Sequence, residues 1–539
     1  MRAGGIVLLL ILNLVLPVGS AIEENTTFDV TFFDKNADGI DDRMDHLVAK
    51  GEDVAVIMMF STATSDKHVN EIIELGLEVT HVYKYIDAIR IDNVPSEKLR
   101  DLTSVSDLKL VEWQVPVYPM LDTAVKAVKV RDSDEYSPVV WDKGLYGEGI
   151  NVAVLDTGVD NEHETFGVYA DQSVRRFIAG MNCDGGCPTD ENGNYQFTTD
   201  EDSNEDPDDF DGHGTHVAST MAGKKFGWAK NADIYSQTIL DSPHTISVSN
   251  AMDTLLGWHQ AKTNNRPTVV NMSYGYVYYL NTATTPNGFG FNSGGPWYDL
   301  VSGTYRGTPH TDTTRSNLRT RGINGQFRGN SIYGFPARLA SVDADINQLT
   351  DAGIIVCIAA GNDSMKHDIS TGTDYNNSLV VTSFGTWFYH TGGSPNLNGE
   401  PGFNVGALGF SNSNASFNEK ASFSDSGPGV NIYACGQNII GAWPQGPGYN
   451  YYYDNSFFQN KISGTSMASP QMAGMAACLL QAHPDWTPRQ VMTWFQNNST
   501  NTLLDTGQDD DYTTTNSVHG GPARVAYFPL KGQKPFGIN

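Results

Sequence analysis

Two short apolar runs constrain this chain more than any other feature. They are Gly149-Ile-Asn-Val-Ala-Val-Leu155 and Gly353-Ile-Ile-Val-Cys-Ile-Ala-Ala-Gly361. A strand with one wet face alternates apolar and polar residues. A strand buried on both faces reads as a nearly unbroken apolar run, the pattern of a parallel sheet covered by helices. The first run ends on Asp156 and the second on Asn362, and open α/β sheets place their sites at strand carboxyl ends. Taken singly, these polar residues say little. An acid there serves equally as a helix cap, and an asparagine as a turn residue.

Two segments of small residues read as helices lying close to such a sheet. In Asp211-Gly-His213-Gly-Thr-His-Val-Ala-Ser-Thr-Met-Ala-Gly223 the glycines make a tight helix entry. His213, flanked by glycines, is free to project into a cleft, whereas His216 lies a turn deeper and reads as structural. In Lys461-Ile-Ser-Gly-Thr-Ser466-Met-Ala-Ser-Pro470 the serine opens a helix of small and apolar residues running to Leu480. Pro470 is tolerated because the first turn needs no internal N–H partner. The free amides at such a terminus favour an anion, and an asparagine NH2 can donate to one. Length, Ser, Pro and Gln argue against a membrane span here.

Asp156-Thr-Gly, His213 within Gly-His-Gly-Thr-His, Asn362 after Ala-Ala-Gly and Ser466 within Gly-Thr-Ser-Met-Ala-Ser-Pro occur in that chain order. Together they resemble the subtilisin-like serine protease (subtilase) family over about residues 140–530. The resemblance implies an α/β fold, a three-layer α/β/α with a mainly parallel sheet. It also implies a serine endopeptidase acting on polypeptide substrates through an acyl-enzyme. Ser466 would be the nucleophile, His213 its general base, Asp156 the residue orienting the imidazole, and Asn362 an oxyanion donor beside the Ser466 N–H. Val270-Asn-Met-Ser273-Tyr274-Gly275 matches the strand on which the family pairs substrate backbone, with Ala360 and Gly361 beside it. No cofactor is needed for catalysis. The rival is a catalytically retired subtilase-fold binding protein, which would be expected to lack one of these four groups. Gly-Thr-Ser-Met-Ala also departs from the Gly-x-Ser-x-Gly elbow of the α/β-hydrolases.

The start of the chain bears on location. Met1-Arg2, the apolar run Ile6 to Val18 and the small residues Gly19-Ser20-Ala21 read as a cleaved signal peptide over 1–21. The expectation is a secreted, extracellular protein with no membrane attachment after cleavage, and a monomer. The formal net charge of −28 excludes nucleic acid as a partner, because neutralising phosphates needs clustered Lys and Arg. Five cysteines are too few for disulfides to be the main support. Cys183 and Cys187 are spaced to close a small loop, while Cys357 and Cys478 read as buried hydrophobes.

In the segment 22–50, Asp34, Asn36, Asp38, Ile40, Asp42 and Asp45 fall at the ligand positions of an EF-hand-like loop, with Gly39 at its turn. Calcium is expected there as a structural ion, an acidic linker being the other reading. Residues 51–120 pattern as β-α-β-β-α-β, the order of a ferredoxin-like sandwich, with a second helix over Ser96–Leu102. In subtilases such a unit serves as a propeptide, so the resemblance implies an intramolecular inhibitor removed by self-cleavage between Trp113 and Asp122. The catalytic domain would then occupy 121–539, with insertions at about 161–210 and 276–335. The acidic run Thr199 to Asp211 reads as a solvated loop or a second calcium site. The later insertion follows the substrate strand directly, so it either walls the cleft or ornaments the periphery.

Overall fold

The computed structural model describes residues 34, 36–44, 53–114, 117–119, 141, 144–166, 177–182, 209, 211–224, 227–240, 248–282, 298–324, 326–328, 331–336, 338–381, 385–391, 400–411, 414–444, 458–499, 503, 512 and 517–526. Residues 1–21, read as a signal peptide, and Cys183, Cys187, Asp45 and most of 161–210 lie outside these.

The first unit is a four-stranded antiparallel sheet in the order His81–Val82, Ala88–Val94, Val54–Phe60, Leu108–Trp113. That order and those directions are those of a ferredoxin-like sandwich. The helix Asp66–Glu74 starts at Ser65, whose N–H donates to His68 Nδ1 at 3.1 Å. The second strand is short, His81–Val82. One expectation is corrected. The second helix is a 3₁₀ helix, Ser96–Ser104. Its buried residues Ser96, Leu99 and Leu102, with Val105 just past its end, recur every third position, which suits three residues per turn rather than 3.6.

The second unit is built on the sheet that the apolar runs demand. Its strands lie in the order Asn414–Lys420, Phe403–Ser411, Ile355–Ala359, Thr268–Met272, Asn151–Asp156, Asp233–Thr238, Phe177–Asn182, with Ile432–Cys435 also on Phe403–Ser411. Pairing is parallel throughout except between Phe403–Ser411 and Asn414–Lys420. Side-chain alternation sorts each strand between two cores. Val152, Val154, Val269 and Ile355 face the helices His213–Ala222 and Thr465–Ala482. Ala153, Leu155, Val270 and Val356 face Val248–Ala261 and Ala340–Asp351. The result is the three-layer α/β/α arrangement. Among the described residues no helix is long and apolar enough to cross a membrane.

The insertion does not stand apart from this framework. Ser273 follows the strand Thr268–Met272, and Tyr274–Thr282 continues into a second sheet. Its strands lie in the order Gln326–Arg328, Ser331–Pro336, Tyr274–Thr282, Tyr298–Tyr305, Ser378–Val381, Gly385–Phe388.

The first unit docks on two helices of the second. The buried carboxylate of Glu112 accepts the N–H of Ala340 and of Ser341 (3.0 Å), capping the Ala340–Asp351 helix. Asp253, on Val248–Ala261, accepts the N–H groups of Lys84 and Tyr85 at 3.0–3.1 Å. Ile57, Met59, Tyr83, Ile86 and Leu110 form an apolar patch with Ala340 between the units. Glu112→Ala is expected to lower the unfolding free energy of the full chain by about 2–3 kcal/mol, since a helix terminus loses a charged acceptor. Glu112→Gln keeps an acceptor oxygen and should lose less. Denaturant titration measures both, and equal losses would show that the capping bonds contribute nothing.

Candidate active site

Asp156 is the last residue of its strand and is fully buried. Its Oδ1 accepts the Thr157 N–H at 2.8 Å and lies 2.6 Å from His213 Nδ1. A carboxylate only accepts, so Nδ1 carries the hydrogen and Nε2 of the neutral ring is the lone-pair nitrogen. Nε2 is buried and has no hydrogen-bond partner among the described residues. Burial by itself would lower the imidazole pKa. The neighbouring Asp156 charge and hydrogen bond, with Asp211 and Asp209 behind them, outweigh it and hold the pKa above its ordinary value.

Gly214 makes the approach possible. A Cβ there would lie 2.0 Å from the Gly158 carbonyl oxygen and 3.2 Å from Asp156 Cβ. Any side chain would wedge the histidine helix away from the aspartate strand. The neighbouring His216 is fully buried, with Nε2 3.1 Å from the Ile439 carbonyl, and burial pushes its pKa down to about 3. It is the structural histidine that its depth implied.

Ser466 sits in the first turn of the helix Thr465–Ala482, fully buried. Its Oγ donates to the Ser273 carbonyl at 3.0 Å, and Ser273 Oγ donates back to the Ser466 carbonyl at 2.8 Å. One turn on, Ser469 Oγ donates to Asn271 Oδ1 at 2.7 Å, and Asn271 Nδ2 donates to Ser273 Oγ at 2.8 Å. These bonds fasten the serine helix to the end of the central strand Thr268–Met272. Asn362 Oδ1 accepts the Thr465 N–H at 2.8 Å and the Thr465 hydroxyl at 3.0 Å. Only an oxygen can do that, so the amide orientation is determined and Nδ2 is directed away from Thr465.

Of the remaining residues singled out, Ala360 and Gly361 are buried just past the strand Ile355–Ala359, and Ala360 N–H donates to Val405. Tyr274 and Gly275 lie on the strand edge that the chain's own Val117–Pro119 pairs with, antiparallel, Tyr274 opposite Pro119 and Gly275 opposite Tyr118. The residues read as an EF-hand-like loop fall elsewhere, on the first unit. Asp34 accepts the N–H of Asp38 and Gly39, Asn36 that of Asp38, and Asp38 that of Ile40, which bridges to Val111. Asp38 also pairs with Arg100 at 3.2 Å. Among the described residues, Asp42 included, no three His, Cys, Asp or Glu side chains converge as a metal site.

With this geometry in view, comparison with known proteins is decisive. A model of the subtilase family matches residues 147–514. The chain belongs to the subtilase family. It is a serine-type endopeptidase. An alkaline protease of Alkalihalobacillus alcalophilus is 24% identical over 432 residues, 79% of this chain and 78% of the relative. The subtilisin-like serine protease Cur l 4.0101 of Cochliobolus lunatus is 26% identical over 363 residues, 66% of this chain and 49% of the relative, so the subtilase spans about half the length of that protein. The crystal structure of fervidolysin from Fervidobacterium pennivorans, a keratinolytic enzyme related to subtilisin, aligns at TM-score 0.54 and 17% identity, over 90% of this chain and 62% of that one. That likeness speaks to the fold alone.

In this subtilase, the acidic run before the histidine held a residue that sequence reasoning missed. Asp209 is buried rather than solvated. Its Oδ1 accepts the Thr157 hydroxyl and the Gly212 N–H, and its Oδ2 the Thr215 N–H and hydroxyl, at 2.6–2.8 Å. It therefore ties the aspartate strand end to the histidine helix start. Burial pushes its pKa up to about 6 against those four bonds, which favour the ionised form. The available signal was position, four residues before His213. Because every partner is a donor, Asp209→Asn is expected to leave a backbone N–H facing an NH2 and to destabilise the protein by about 1–3 kcal/mol. Calorimetric unfolding tests this, and an unchanged Tm would refute it.

Proposed function

We propose that Asp156, His213, Ser466 and Asn362 carry the peptide-bond hydrolysis of this serine protease, and that the chain is exported as a precursor whose first unit blocks the cleft. The observation that carries the catalytic reading is the buried 2.6 Å contact between His213 Nδ1 and Asp156, with the basic Nε2 left without a partner among the described residues. In this reading Nε2 takes the Ser466 proton as Oγ attacks the scissile carbonyl. The ring then returns that proton to the leaving amine, giving an acyl-enzyme that water hydrolyses by the same route. Asp156 holds the tautomer and stabilises the imidazolium. Asn362 Nδ2 and the Ser466 N–H, at a helix start, receive the oxyanion. Removing one such donor typically lowers kcat about 10²–10³-fold.

Substrate backbone would pair with the strand beginning at Tyr274. The pairing of Val117–Pro119 on Tyr274–Tyr276 supports that use of the edge, and it supports the first unit as an intramolecular inhibitor held by Glu112 and Asp253. The wild-type chain is expected to lose residues 1–21 on export and then to be cut between Trp113 and Asp122, while Ser466→Ala is exported but stays joined. Mass spectra of the two secreted proteins decide it. A Ser466→Ala protein trimmed like wild type would sink self-processing, and one that still hydrolyses peptide would sink the nucleophile.

Calcium remains a proposal for the loop Asp34–Asp45 alone, as a structural ion whose shell needs Asp45. Chelation should lower the Tm of the precursor by several degrees. A Tm indifferent to chelator leaves the loop as an acidic turn.

A further inference from the structure

Asn362 is useful as an oxyanion donor only if its backbone is held still, and the structure points to one residue that holds it. Asp425 is fully buried in the loop after the strand Asn414–Lys420. Its Oδ1 accepts the N–H of Asp363 at 3.0 Å and of Met365 at 2.8 Å. Its Oδ2 lies 3.0 Å from His367 Nε2. Its own N–H donates to the Gly361 carbonyl at 3.0 Å. A single residue thus holds positions 361, 363 and 365 of the turn that presents Asn362 by hydrogen bonds, and its other oxygen stands beside the ring of His367. The Asn362 side chain bonds instead to Thr465.

The chain pays for this contact in side-chain volume at Gly361. That residue has φ +118°, and a Cβ there would lie 2.3 Å from Asp425 Oδ2. The glycine of Ala-Ala-Gly-Asn is therefore the seat of the carboxylate as well as a turn residue. Without the carboxylate, the N–H groups of Asp363 and Met365 would lose a buried acceptor and the turn would relax. A donor displaced by about 1 Å stabilises the transition state far less while leaving substrate binding nearly intact.

We infer that Asp425 is a positioning residue for the oxyanion donor, acting through Asn362; the inference rests on the reading of Asn362 given above. The test is a double-mutant cycle on the full-length expressed enzyme, assayed on a chromogenic peptide with competent enzyme fixed by active-site titration. Asp425→Ala is expected to lower kcat about ten- to a hundredfold with KM within about twofold. On an Asn362→Ala background the same change should lower kcat by less than about twofold, because the group it positions is gone. Asp425→Asn, which keeps an acceptor oxygen for both N–H groups, should recover part of the loss. Equal factors on the two backgrounds, or a change confined to KM, would overturn the assignment. An Asn362→Ala enzyme with unchanged kcat would instead overturn the oxyanion reading itself, and this one with it. If Asp425→Ala does not fold, Asp425→Ser on both backgrounds makes the same decision, since it too lacks an acceptor able to span both N–H groups.

Discussion

The rest of the structure is arranged around a buried pair, the 2.6 Å contact between Asp156 and His213. Removing a carboxylate and an imidazole from water is unfavourable unless their partners are placed in advance. Both residues here are completely buried, so the placement must be done by elements with no freedom to drift. A central parallel strand delivers Asp156 and a helix start delivers His213. Gly158 and Gly214 let the two backbones touch, and Asp209 ties the two ends together with four hydrogen bonds. Enclosure by itself would lower the pKa of His213; the Asp156 charge and hydrogen bond, with Asp211 and Asp209 behind them, outweigh that and raise it.

The second half of the site is set by the helix that begins at Thr465. Its small residues, Ala468, Ala473, Ala476 and Ala477, allow it to lie against the sheet within the main core. Three bonds joining Ser466 and Ser469 to Asn271 and Ser273, which are themselves bonded to each other, then fix its height and rotation. The first unit uses the same physics from outside. Glu112 satisfies a helix N-terminus on the far layer, and Asp253 satisfies two N–H groups of the first unit in return. The two units are therefore complementary in polarity as well as in apolar shape.

What could be read from the chain, and what could not, divides along a physical line. Gly-His-Gly-Thr-His was legible because close approach forbids larger residues at Gly212 and Gly214, and Gly-Thr-Ser-Met-Ala-Ser-Pro because a run of small residues opens a helix packed in the core. Buried parallel strands were legible because burial on both faces leaves no polar period. The 3₁₀ helix at Ser96–Ser104 was misread as an ordinary helix, since two leucines three positions apart, Leu99 and Leu102, fit either period. The insertion was ambiguous because its strands pair with each other and with Ser378–Val381, partners far away in sequence. Asp209 and Asp425 were invisible in their roles, as an aspartate in an acidic or serine-rich loop carries no mark of what will surround it.

The sequence by itself determined the parallel sheet, the order of the chemical groups and the family, because those depend on local residue size and apolar period. Only the tertiary structure decided which acids are buried clamps and which face solvent. It also decided that the insertion extends the Tyr274 strand and that Val117–Pro119 lies along its edge. Those outcomes depend on which donors meet each carboxylate and which strand edges meet, and such meetings exist only once distant segments have been brought together.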